Sequence, residues 1–137
     1  MAITAHEAQE GAELEGTIKV VTLERMRAFS GGPSRNIHTD EAFARQCGLP
    51  APIASGVMSE GYLVALMLDV FGDAWLVTGR MELAFVRVVQ PGDRLTPKAV
   101  VRQRQPQGAG VQLTLDVWCE NQHGERVTAG VATGTVR

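Results

Sequence analysis

Apolar residues follow a helical spacing in the middle of the chain. Over residues 56–71 the apolar side chains surround a helix on nearly all faces, and only Ser59, Glu60 and Asp69 interrupt them strongly. A helix that is apolar all round is covered by other parts of the fold. The pattern therefore predicts a buried central helix over 56–71, and Gly72 ends it.

Runs rich in β-branched residues on both sides of this helix predict strands. One run lies near 13–21, and the others, separated by turns that contain Gly, Pro or Asn, are 75–89, 94–104, 111–120 and 126–136. This order predicts an α+β fold with an antiparallel sheet wrapped around the buried helix. Such a sheet has exposed edges, which favours dimerisation from edge to edge.

Two short helices are predicted between the first strand and the buried helix. The first covers 23–30 and follows Thr22, a residue type that caps helix N-termini. The second covers 40–47, with Thr39 as its expected cap. The loop between them contains two Gly, a Pro, a Ser and an Asn, a composition typical of irregular backbone.

Length and charge limit the classes of function. The chain has 137 residues without repeats or a linker-like segment, so we expect one domain over 1–137 with a polar N-terminal lead-in over 1–12. Lys and Arg total 13 against 15 Asp and Glu, a formal net charge of −2. There is no basic excess to neutralise phosphates, so nucleic acid is not an expected partner.

The N-terminus, the apolar stretches and the cysteines indicate a cytoplasmic protein. The acidic N-terminus lacks the apolar core of a signal peptide, and the longest apolar stretch, 62–68, is too short to span a bilayer, so no membrane partner is expected. Cys47 and Cys119 have no CxxC spacing and are interpreted as reduced thiols. The three histidines lie far apart with no cysteine near them, so no metal site is expected.

Three short motifs resemble a known family. They are N-I-H-T-D at 36–40, P-I-A-S-G at 52–56 and Q-P-G-D at 90–93. With the predicted order of elements they resemble the hot-dog fold, and within it the MaoC-like dehydratases, which include the (R)-specific enoyl-CoA hydratases. The resemblance covers nearly the whole chain. It implies a single hot-dog domain and a homodimer with the active site at the subunit interface.

The resemblance also implies a reaction. Enzymes of that family add water to an enoyl thioester, or remove it from a 3-hydroxyacyl thioester, carried by CoA or an acyl carrier protein. The acyl thioester is the expected small-molecule partner, and no further cofactor is implied. His38 matches the family's catalytic histidine, and Gly56 matches the glycine whose backbone N–H polarises the thioester carbonyl.

Three positions before His38 depart from the family motif G-D-x-N-P-x-H, since its asparagine is replaced by Arg35, its proline by Asn36 and its aspartate as follows. The aspartate should stand at the fifth position before His38, where this chain has Pro33. Glu60 is the candidate replacement, because a carboxylate buried on the apolar helix would have a raised pKa and could act as an acid or base. The alternative is that Glu60 faces solvent or pairs with an arginine such as Arg35.

Three further residues are candidates for the site. Asn36 could hold a water or the thioester carbonyl, but an amide cannot serve as a general base, and Asn is equally common as a turn former. Ser55 could contact the substrate or cap the buried helix. Arg35 could meet CoA phosphates or a substrate carboxylate, although surface exposure is the usual state of an arginine.

Two other functions remain open on the sequence. A hot-dog thioesterase would use a carboxylate near the buried helix, and Glu60 could be that group. A ligand-binding or biosynthetic hot-dog protein that does not hydrate its ligand would explain the absence of the aspartate. Release of free thiol would identify the thioesterase, and tight binding without turnover would identify the binding protein.

Overall fold

The computed structural model describes residues 3–31 and 35–137 and has an antiparallel sheet packed against a long helix. The helices are α1 (Leu23–Ser30), α2 (Glu41–Gln46), α3 (Gly56–Phe71) and α4 (Ala74–Thr78). The strands are β1 (Glu13–Glu15), β2 (Lys19–Val20), β3 (Arg80–Phe85), β4 (Arg94–Gln107), β5 (Gly110–Glu120) and β6 (Arg126–Val136). This confirms the predicted α+β class.

The strand order leaves β1 and β3 as the edge strands of the main sheet within the described residues. The main sheet runs β1-β4-β5-β6-β3, and β2 also pairs with β4. All of these pairings are antiparallel. Within the described residues β3 pairs with β6 alone, so its other side has free backbone hydrogen-bonding groups. β3 is therefore one of the two edges that the pattern predicts, and β1 is the other.

Helix α3 supplies much of the hydrophobic core, as its pattern predicts. Leu63 and Met67 are fully buried. The helix is nevertheless not covered on every face. An exposed stripe with a spacing of four residues consists of Val57, Gly61, Ala65 and Asp69. None of the described helices is long and apolar enough to cross a membrane.

The predicted strand over 75–89 is wrong at both ends, because the chain forms α4 at its start and β3 already ends at Phe85. The Trp75 ring stacks on Phe71 with ring centroids 5.7 Å apart, so the core packing of α3 continues into the next turn. The Gly79 N–H closes α4 on the Trp75 carbonyl at 2.8 Å. This packing on the end of α3 outweighs the strand propensity of an apolar segment.

Two other boundaries differ from the sequence prediction. The expected strand near 13–21 is interrupted, since β1 ends at Glu15 and β2 begins at Lys19. Helix α2 is capped by Asp40 rather than Thr39, since an Asp40 carboxylate oxygen accepts the Phe43 N–H at 2.8 Å. Thr22 does cap α1, as predicted.

A charged cluster ties β4 to β5. Lys98 Nζ lies 2.7 Å from Glu120 Oε1, and the Trp118 indole N–H donates to Glu120 Oε2 at 3.0 Å. The hydrogen bond from Lys98, then that from Trp118, lowers the pKa of Glu120. The same pairing raises the pKa of Lys98.

The stability that this cluster provides is expected to depend on pH. Because the pKa of Glu120 is lower in the folded protein, its contribution is complete above the unfolded pKa and disappears as pH falls through the folded pKa. We expect Glu120→Gln to lower the free energy of unfolding by about 0.5–1 kcal/mol at pH 7. Urea unfolding at a series of pH values should show the two curves converging in acid.

The matched control for this prediction lies on α2. Glu41 pairs with Arg45 at 2.9 Å, but both side chains are more than half exposed, at 59% and 65%. Exposed pairs of this kind add little stability, so Glu41→Gln should leave the unfolding curve nearly unchanged at neutral pH. A loss in Glu41→Gln as large as in Glu120→Gln would contradict the assignment.

Candidate active site

The loop that carries His38 is fixed by hydrogen bonds from both backbone and side chain. The His38 N–H donates to Asn36 Oδ1 at 2.8 Å, and Asn36 Nδ2 donates to the Ser30 carbonyl at 3.2 Å. His38 Nδ1 lies 2.8 Å from the Ile53 carbonyl oxygen. The Ile53 N–H in turn donates to the Ile37 carbonyl at 3.1 Å, so two loops distant in sequence hold the imidazole.

This geometry assigns the tautomer of His38. A carbonyl oxygen can only accept, so Nδ1 must carry the hydrogen that bonds Ile53. In the neutral imidazole Nε2 then holds a lone pair and no hydrogen. His38 therefore has a free acceptor nitrogen that can take up a proton.

His38 lines a cavity of about 360 Å³ that also includes the first turn of α3. Its walls are largely apolar. The described residues that line it are His38, Ile53, Ala54, Gly56, Val57, Ser59, Phe85, Val86, Arg87, Val88, Val89 and Thr128. No carboxylate is among them. Arg87, which also lines the cavity, is paired with Glu125 at 3.2 Å.

Gly56 places a helix N-terminus at this cavity. Ser55 precedes the helix, and its hydroxyl accepts the Val57 N–H at 3.4 Å. The Gly56 N–H has no acceptor within the described residues. Free N–H groups and the helix dipole at this end favour a developing negative charge. The site can therefore stabilise an oxyanion.

Gly56 also permits the close approach of an aromatic side chain. A Cβ atom built on Gly56 would lie 2.7 Å from Cδ1 of Phe85. Phe85 is the last residue of β3 and is 54% exposed, and its ring forms one wall of the cavity beside the helix end. Any larger residue at position 56 would displace this wall.

The floor of the cavity includes two hydroxyl groups. Ser59 Oγ lies 2.7 Å from Thr128 Oγ1 and donates to the Gly56 carbonyl at 2.9 Å. Ser59 belongs to α3 and Thr128 to β6, so this contact joins the helix N-terminus to the sheet.

The structure brings together some of the predicted site residues and not others. His38 and Gly56 line the same cavity. Asn36 does not line it, and its amide shapes the loop, which is the turn-forming role weighed as the alternative. Glu60 is half-buried and is also absent from the lining within the described residues. Ser55 caps α3.

Arg35 is turned away from the cavity. Its guanidinium lies 3.2 Å from Asp40 and 5.8 Å from the centre of the Phe43 ring. The Phe43 backbone N–H, followed by the Arg35 side chain, lowers the pKa of Asp40. Arg35 therefore pairs with Asp40 rather than with Glu60. The departure from the family motif at Pro33 lies outside the described residues.

Sequence reasoning missed the polar, charged and aromatic lining residues Ser59, Phe85, Arg87 and Thr128. Ser59 had a visible signal, since it is a small polar residue one turn into an apolar helix. Phe85, Arg87 and Thr128 had none, because their places in the cavity depend on how β3 and β6 pair. Phe85 stands opposite Thr128 in that pairing.

Solved structures similar to this chain share the hot-dog fold. The R-hydratase PhaJ1 from Pseudomonas aeruginosa is 22% identical with a TM-score of 0.79, over 99% of this chain and 91% of that one. A MaoC-like dehydratase from Rhodospirillum rubrum is 21% identical with a TM-score of 0.81, over 98% and 96%. The HadBC 3R-hydroxyacyl-ACP dehydratase complex from Mycobacterium tuberculosis is 17% identical with a TM-score of 0.69, over 93% and 96%.

The family is shown by sequence over most of the chain. A comparison with curated proteins finds no match. The family described as MaoC like domain, however, matches residues 4–131. This range includes the His38 loop, all of α3 and the β3 edge, and therefore the whole described lining of the cavity. The chain belongs to the MaoC-like domain family.

Proposed function

We propose that the protein is a hydratase or dehydratase of acyl thioesters. It adds water to an enoyl thioester, or removes it from a 3-hydroxyacyl thioester, carried by CoA or an acyl carrier protein. The observation that carries the proposal is the free acceptor nitrogen of His38 in an apolar cavity shared with the Gly56 helix end. Family membership and the fold shared with an R-hydratase support it.

In the proposed mechanism His38 performs both proton transfers. His38 Nε2 accepts a proton from water as the water oxygen bonds the β-carbon, and the electron pair of the double bond moves toward the thioester carbonyl. The Gly56 N–H stabilises the negative oxygen that develops there. The imidazolium then returns its proton to the α-carbon. Neither Asn36 nor Glu60 is given a proton transfer, because neither lines the cavity.

The assembly in this proposal is a homodimer that pairs along β3. Within the described residues this strand is paired on one side only, and the apolar residues Phe85, Val86 and Val88 at and after its end are more than half exposed. They also line the cavity, so a second copy at this edge would complete the site. We place the protein in the cytoplasm, which is supported by the free thiols of Cys47 and Cys119.

A binding protein without turnover is the second candidate. The observation that favours it is the absence of a carboxylate among the described lining residues. The thioesterase is less well supported, since Glu60, its candidate carboxylate, lies outside this lining.

The test is a panel of short and medium enoyl-CoA thioesters incubated with the purified protein. Chromatography of the CoA species should show enoyl-CoA converted to 3-hydroxyacyl-CoA without release of free CoA. Free CoA as the main product would identify a thioesterase. Binding of the thioesters without any product would overturn the hydratase and identify a binding protein.

A further inference from the structure

The cavity contains the two buried polar side chains of the described core. Ser59 is 3% exposed and Thr128 is 1% exposed, and both line the cavity that holds His38. Burying a hydroxyl costs free energy unless it is hydrogen-bonded. These two satisfy each other, and they do so at the wall of a largely apolar site.

The hydrogen bonds of this pair have a defined direction. The Gly56 carbonyl can only accept, so the single hydroxyl hydrogen of Ser59 is used in that 2.9 Å bond. In the 2.7 Å contact with Thr128, Ser59 must therefore be the acceptor and Thr128 the donor. The Thr128 oxygen has used its hydrogen and keeps its lone pairs. Thr128 thus has an acceptor oxygen, and both Thr128 and His38 line the cavity.

We propose that Thr128 Oγ1 and His38 Nε2 bind the reacting water by its two hydrogens, with Ser59 as the positioning residue that fixes Thr128. The inference rests on the proposed function and deepens it. A water that donates both hydrogens to two protein acceptors has its lone pairs left free. Those lone pairs are the electrons that must form the bond to the β-carbon.

The reaction step balances without any further group. One O–H bond of the water breaks toward His38 Nε2, and a C–O bond forms at the β-carbon. The π electrons of the enoyl group become an enolate whose oxygen faces the Gly56 N–H. The proton on His38 then passes to the α-carbon. The other hydrogen of the water remains on the product hydroxyl, still bonded to Thr128.

This arrangement explains how the site can work without a lining carboxylate. A threonine hydroxyl does not take up a proton near neutral pH, so Thr128 orients the water but does not activate it. Removing it should affect the orientation of the attack rather than the binding of the thioester. The expected loss in kcat for Thr128→Val is about 10- to 100-fold, in the range of a misplaced reactant.

The experiment compares Thr128→Val with Thr128→Ser in the hydration assay. Valine has the shape of threonine without the hydroxyl, and Ser59 keeps its bond to Gly56, so the variant should fold. Serine restores the hydroxyl and should recover most of the kcat. The matched control is Thr133→Val on the same strand, where Thr133 stands opposite Arg80 on β3 and outside the cavity lining.

Binding of a saturated acyl-CoA separates this role from a structural one. Butyryl-CoA has no double bond to hydrate, and Thr128→Val should bind it with a Kd within about twofold of the unmodified protein, while kcat falls. Loss of butyryl-CoA binding together with kcat would show a packing role and overturn the inference. So would a kcat in Thr128→Val equal to that of Thr133→Val. A native protein that hydrates no thioester would instead overturn the proposed function itself.

Discussion

Replacing His38 with alanine is expected to reduce kcat/KM for an enoyl thioester by about 10²- to 10⁴-fold, the contribution typical of a general acid–base residue. The Nε2 lone pair is the one group at the cavity that the proposed mechanism uses to move protons. The loop should keep its shape, because the bond from position 38 to Asn36 uses the backbone N–H. Initial rates of hydration at saturating and limiting substrate would measure the loss.

The control for this variant is Glu60→Gln. Glutamine keeps the size of the side chain and removes its ability to take up a proton. Because Glu60 is not part of the described cavity lining, we expect rates close to those of the unmodified protein. Equal losses in both variants would instead assign the second acid/base role to Glu60.

Gly130→Ala is expected to lower the free energy of unfolding by at least about 2 kcal/mol, since overpacking against backbone is among the more severe substitutions. Gly130 lies on β6 and is paired with Leu83 of β3. A Cβ atom there would clash with the Glu82 carbonyl oxygen, so the two strands must separate. Chemical denaturation followed by circular dichroism would measure the change.

Gly61→Ala is the matched substitution with the opposite expected sign. Gly61 lies inside α3 on its exposed stripe, and a Cβ atom there would have nothing within 4 Å. Alanine restricts the unfolded chain and favours the helix, so we expect a gain of roughly 0.5–1 kcal/mol. If both alanine variants were destabilised to a similar degree, the clash at β3 would not be the cause of the Gly130 effect.

The parts of the fold that could be predicted are those with a strong local period. Helix α3 was predicted with its observed bounds because sixteen residues carry one nearly unbroken apolar pattern. The hairpin of β4 and β5 and the final strand β6 were predicted in the same way. The segment at Trp75 was not, because an apolar run of a few residues fits a strand and a helix turn equally well. The contact of the Trp75 ring with Phe71 favours the helix turn.

In the site as well, residues within short motifs could be predicted, whereas contacts between distant segments could not. His38 and Gly56 were found through motifs that resemble a family, and both line the cavity. The backbone carbonyl of Ile53 sets the tautomer of His38. A contact to a backbone atom does not depend on the residue type, so the sequence cannot indicate it. Thr128 lies 69 positions from Ser59, and only the packing of α3 on the sheet brings the two hydroxyls together.

One wall of the cavity lies at the β3 edge of the sheet. Phe85, Val86 and Val88 lie where β3 ends, and β3 is hydrogen-bonded on one side alone within the described residues. A second chain at this edge would change the free energy of ligand binding. By thermodynamic linkage, the ligand would change the free energy of association by the same amount. Substrate concentration and protein concentration would then act on a single shared equilibrium.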